Sequence, residues 1–214
     1  MHAISSTTAL WYASRATGVV ALGLLTAVMV LGITVQRRGR LPGLPRFGVT
    51  SLHRSLSLLA VAFVAVHVIT AIADPYVTIG IAAAVIPFTS PYETFWLGVG
   101  AVGLDLVIAL IATSLVRVRL GRRAWRAVHW LAYVTWPVAF AHGIGAATDM
   151  RSGLPLAFAA GCALAVATAA GWRIARSRST ASISQRPALV LSAAEQPSRP
   201  PRTHDLAGAR AGSR

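Results

Sequence analysis

Five apolar runs, each long enough to cross a bilayer, limit this chain to one architectural class. A membrane span needs about 20 mostly apolar residues, at about 1.5 Å of rise each, to traverse a hydrocarbon core about 30 Å thick. The runs cover residues 8–35, 50–73, 93–116, 125–147 and 153–174. With 55% hydrophobic and 12% charged residues, too few polar side chains remain to coat a soluble globule. The expected fold is all-α: an integral membrane bundle of five transmembrane helices in a lipid bilayer.

The net charge of +14 would suggest nucleic acid in a soluble protein. Here the arginines are sorted by loop and report topology instead, so no nucleic-acid partner is expected. Arg37, Arg38, Arg40 and Arg46 lie between spans one and two, and Arg117, Arg119, Arg122 and Arg123 between spans three and four. A basic tail, residues 175–214, follows span five. The opposite segments carry Asp74, Glu93 and Asp149 with Arg151 as the nearby cation. The positive-inside rule then places the N-terminus (residues 1–7) outside and the C-terminus in the cytoplasm. With no basic n-region and no small-residue cleavage site, the first span reads as an uncleaved anchor.

Trp11, Tyr12, Tyr76, Tyr92, Trp96, Trp125 and Trp172 fall near span ends, where aromatic belts form. Residues 74–92 hold a short apolar run closed by Pro87 and Pro91 and read as a surface segment over the outer mouth. Past Arg176 the chain loses periodicity and reads as a disordered tail. Cys162, the single cysteine, excludes an intramolecular disulfide and reads as a packing residue. Gly18, Gly23, Gly98, Gly100 and Gly103 read as small residues that let helices approach.

Histidines carry the chemistry. His53 and His67 lie in span two and His129 and His142 in span four, while His2 and His204 sit near the ends. Ionisable groups inside membrane helices are rare and by default functional. Spans two and four both start at the cytoplasm, so they run parallel, and their histidines match in depth as pairs, His53 with His129 and His67 with His142. Spacings of 14 and 13 residues separate the two levels by about 21 and about 20 Å of helix rise. Imidazole suits haem iron, and two imidazoles saturate it, which favours electron transfer over oxygen binding. Zinc or non-haem iron would want three or four donors at one depth. Two b-type haems are therefore expected, with these four histidines as the metal ligands and no catalytic side chain in the usual sense.

Helical phase raises one difficulty: at about 100° per residue His67 returns to within about 40° of His53, but His142 lies about 140° from His129. Pro137 stands between the latter two, and a kink or bulge there is expected to rotate the outer half of the helix. Arg54 and Arg126 flank the inner level and suit haem propionates. Arg15, on the side where positive charge is depleted, needs a partner, and a propionate of the outer haem is the first candidate. Asp105, near the middle of span three, is open to three roles: pairing with an arginine, which is the first expectation, hydrogen-bonding while protonated, or relaying a proton.

The paired spacing, residues 125–133 (Trp-Arg-Ala-Val-His-Trp-Leu-Ala-Tyr) and residues 14–18 (Ser-Arg-Ala-Thr-Gly) together resemble the ferric reductase-like transmembrane domain family. Membrane cytochromes b of NADPH oxidases, metalloreductases and the haem subunit of the bacterial periplasmic methionine sulfoxide reductase system belong to it. The resemblance covers residues 8–174 and implies that the four histidines are haem ligands. It also implies an oxidoreductase component fed by a separate donor, since the flavin and nicotinamide module that family oxidases append is missing from this sequence. A flavoprotein or quinol is the expected donor, and ferric iron or a redox protein the external acceptor. A single haem beside a flavin or quinone is a second possibility, and a non-redox transporter or anchor a third; inverted repeats and broken midplane helices, which would favour transport, are not evident.

Overall fold

The computed structural model describes residues 2–36, 46–75, 77 and 79–194. Among them every regular element is helical. The elements are α1 (His2–Gln36), α2 (Arg46–Ala73), a short α3 (Ile81–Val85), α4 (Thr94–Leu115), α5 (Arg117–His129), α6 (Ala132–Ala146), a 3₁₀ turn (Thr148–Arg151) and α7 (Gly153–Ala194). The chain divides into two units, Met1–Arg173 and Ile174–Arg214. In the second, the backbone is helical to Ala194 where the sequence predicts an irregular tail; residues 195–214 lie outside the described set, as do Tyr76 and the loop arginines 37, 38 and 40.

Four helical stretches are long and apolar enough to cross a membrane: Thr8–Thr34, Phe47–Ala73, Thr94–Leu115 and Gly153–Arg176. They match the expected spans one, two, three and five. The fourth differs. Instead of one helix over residues 125–147, the chain makes α5, turns at Trp130 and Leu131, and resumes as α6, whose 15 residues reach only about 22 Å.

The physical reason lies one turn ahead of Pro137. Proline offers no N–H to the carbonyl of residue 133 and its ring crowds that carbonyl, so the strain falls on the preceding turn. There the backbone tightens to i→i−3 bonds: Leu131 N–H to Val128 O (2.9 Å), Tyr133 N–H to Trp130 O (3.0 Å) and Val134 N–H to Leu131 O (2.9 Å). Pro137 itself stays inside continuous α6, so the expected kink at the proline is displaced to Trp130–Leu131. Each residue of a 3₁₀ turn advances about 120° rather than 100°. The excess turns His142 toward the phase of His129, the sense the pairing requires.

Within the first unit α1 packs along α2, α4 along α6, and α1 also meets α6, while α3 rests on α4. Leu22, Met150 and Ala159 form a buried cluster, flanked by Val19, Phe140 and Ile144. The indole of Trp136 donates to Thr26 Oγ1 at 2.9 Å, fixing α6 against α1. Arg151 closes the end of α6 by donating to the carbonyls of Ile144 (3.0 Å) and Gly145 (2.8 Å), groups that would otherwise end the helix unpaired. A β-carbon on Gly145 would lie 2.0 Å from Trp96 Cε3, so α4 and α6 touch where a side chain is missing. Gly145→Val is expected to destabilise the detergent-solubilised protein by about 1–3 kcal/mol through overpacking. Gly171→Val, where nothing lies within 4 Å, serves as the near-neutral comparison in the same thermal unfolding measurement.

Candidate functional site

At the His67–His142 level, termed outer after the sequence expectation, a cavity of about 280 Å³ lies between α1, α2, α4 and α6. Leucines, valines and alanines make up half of its lining residues, and two imidazoles, His67 and His142, enter it from facing helices. Their ring centroids are 6.3 Å apart and their planes 71° from parallel.

Each ring is held from behind. His67 Nδ1 lies 2.8 Å from the Ser14 carbonyl of α1, and His142 Nδ1 lies 2.8 Å from the Trp96 carbonyl of α4. A carbonyl can only accept, so both rings donate Nδ1–H and keep the lone pair on Nε2. Such a bond to the distal nitrogen is what orients imidazole ligands in metal sites. A metal bound by both Nε2 atoms at about 2.0 Å, with about 1.2 Å from nitrogen to ring centre, sets the centroids about 6.4 Å apart. The observed separation fits a single metal between two axial imidazoles. No group of three or more His, Cys, Asp or Glu converges on a metal position among the described residues.

At the inner level His53 and His129 lie within electrostatic reach of each other. Their Nδ1 atoms are buried without a hydrogen-bond partner among the described residues, as is Trp125 Nε1. Trp125 stacks on His129, with centroids 4.9 Å apart and planes 20° from parallel. His129 ends α5 and so sits directly at the turn that divides the fourth span.

The cation Arg15 is paired with Asp149 by a hydrogen-bonded ion pair, and its guanidinium also lies 4.8 Å from the Trp11 ring centre. Both charged residues line the cavity. The partner that Arg15 meets is a carboxylate of the protein itself, because the 3₁₀ turn after α6 carries Asp149 toward α1. Arg54 and Arg126 are exposed, and Asp105 meets no arginine among the described residues.

Several functional neighbours escaped the sequence. Trp96 and Trp125 were assigned to interfacial belts, yet Trp96 supplies a histidine's acceptor and abuts Gly145, and Trp125 covers His129. Their positions one turn from a histidine, or on the facing helix at its depth, were the available signal.

A family model described as ferric reductase like transmembrane component matches residues 17–140, more than half of the chain. The chain belongs to this family. The matched stretch of this ferric reductase-like component contains His53, His67 and His129 and ends just before His142; it is the cavity that brings His142 opposite His67. No curated protein and no solved structure matches the chain significantly.

The Arg15–Asp149 pair is partly exposed at both ends, 29% and 47%, and exposed ion pairs are worth about 0–1 kcal/mol. A double-mutant cycle of Arg15→Gln and Asp149→Asn, read by thermal unfolding, is expected to give a coupling within that range. A coupling of several kcal/mol would mean that the pair is sealed from water.

Proposed function

We propose that this ferric reductase-like component is a membrane cytochrome b that carries electrons across the bilayer. His53 with His129, and His67 with His142, would hold one haem b at each of two levels. The facing of His67 and His142 across 6.3 Å, with both Nδ1–H groups already committed to backbone carbonyls, is the observation that carries the proposal. When bound, haem b would supply reversible one-electron chemistry, and two imidazole ligands would leave no position open for oxygen.

The protein's own part is to bind, orient and insulate. Backbone carbonyls of Ser14 and Trp96 keep the outer rings in one tautomer and raise their donor strength. Leu22, Leu104 and Val107 give the cavity part of its apolar wall. Each electron given up by a donor, a quinol or a separate flavoprotein, reduces one acceptor outside, ferric iron or a redox protein. Arg54 and the arginines of α5, including Arg122, Arg123 and Arg126, are exposed and present a cationic face to an acidic donor on the cytoplasmic side, and Arg54 and Arg126 remain the propionate candidates of the inner level.

In this reading the protein sits in the bacterial plasma membrane with its N-terminus outside. Five crossings are needed, the fourth made by α6 together with the last turns of α5. In a Cys162→Ala background, Arg122→Cys is expected to react with an impermeant maleimide only in inverted vesicles, and Thr148→Cys only in intact cells. The reverse pattern would invert the topology.

Haem itself is tested by a reduced-minus-oxidised spectrum with haem quantitation. Wild type is expected to hold about two haems per chain, and His67→Ala and His129→Ala to lose about one each, since removal of one axial ligand weakens retention. A purified wild type with no Soret band would end the cytochrome proposal.

A further inference from the structure

Two glycines stand behind the outer histidines. A β-carbon on Gly18 would lie 3.0 Å from both Cε1 and Nδ1 of His67, and one on Gly100 would lie 2.6 Å from Cε1 and 2.7 Å from Nδ1 of His142. The three nearest atoms at each position all belong to that one imidazole. Gly98 and Gly145, by contrast, face Phe88 and Trp96 and serve packing.

The carbonyl that accepts each Nδ1–H lies four residues before the glycine: Ser14 before Gly18, and Trp96 before Gly100. In an α-helix the carbonyl of residue i points toward residue i+4, which lies on the same face. Its second lone pair is reachable from the side only when residue i+4 has no side chain in the way. A glycine at i+4 therefore opens one carbonyl and leaves a flat recess for a ring.

The same arrangement recurs at the inner end of α1. A β-carbon on Gly32 would lie 3.4 Å from His53 Cε1, and the backbone of Val28, four residues before it, lies near that ring without a formed hydrogen bond. Fourteen residues separate Gly18 from Gly32 and likewise His53 from His67, so antiparallel α1 and α2 meet twice in one register. On α4 the position 14 residues beyond Gly100 is Ser114, and His129 Nδ1 has no hydrogen-bond partner among the described residues. The device is complete at the outer level and incomplete at the inner one.

We infer that Gly18 and Gly100 are positioning residues, each opening a backbone carbonyl and a recess that together aim the Nε2 of His67 and His142 at a shared iron. This rests on the cytochrome proposal. A methyl group at either site displaces a ring that cannot move without stretching its bond to the carbonyl, so the outer centre alone changes.

The test uses the full-length protein, with Gly18→Ala, Gly100→Ala and, as comparison, Gly161→Ala, where nothing lies within 4 Å. Haem content, low-temperature EPR of the low-spin ferric centres and a potentiometric titration are read, the outer centre being the one that His142→Ala abolishes. Both cradle variants are expected to shift the g values and midpoint potential of the outer centre. Gly100→Ala should shift them further than Gly18→Ala, following the order of the distances, while the inner centre and Gly161→Ala stay at wild type. An unmoved outer centre, or equal shifts at both centres, overturns the inference. If Gly100→Ala does not accumulate, the milder Gly18→Ala decides by the same criteria. Wild type without haem defeats the underlying cytochrome proposal, whereas haem-replete wild type with indifferent glycine variants defeats this inference alone.

Discussion

In hydrocarbon an N–H group has no water to bond, and leaving it unmatched costs several kcal/mol. An imidazole inside such a bundle must therefore spend its second nitrogen on the protein. Here the outer rings spend it on main-chain carbonyls of neighbouring helices, Ser14 for His67 and Trp96 for His142. The bond ties α2 to α1 and α6 to α4, the two most intimate helix pairs of the molecule. It also dictates which nitrogen faces the cavity. Helix pairing and ligand orientation are thus two results of one contact, and a shift of either helix along its partner would undo both.

Much of this was legible before any coordinates. Length and hydropathy placed four of the spans because they need only a count of apolar residues. The spacing between His53 and His67 is close to a whole number of turns, so their shared face followed from helical pitch alone. Equal rise along two parallel helices put His67 and His142 at one depth. None of these inferences requires knowing which residues touch.

What stayed hidden depends on tertiary contact or on backbone detail. Pro137 announced a disturbance, but the strain surfaces one turn earlier, where i→i−3 bonds at Leu131, Tyr133 and Val134 absorb it. Propensity cannot say which turn yields. The partner of Arg15 lies far along the chain at Asp149, a pairing set by the 3₁₀ turn that follows α6. Gly18 and Gly100 look like any small residues that ease helix packing, and only the position of the histidine rings separates their role from that of Gly98 or Gly145. Trp125 sits at a span end as belt residues do, yet it lies one helical turn before His129 on α5, which lets the two rings stack.

That turn makes the two histidine levels physically unlike. His142 lies within an uninterrupted helix with its ring anchored, whereas His129 is the last residue of α5, just before the tightened turn at Trp130–Leu131. The 15 residues of α6 rise about 22 Å, less than a hydrocarbon core about 30 Å thick, so the rest of a crossing has to come from that turn and the end of α5. The same side chain is thus presented in two ways, from inside a regular helix at one level and from a helix's final residue at the other.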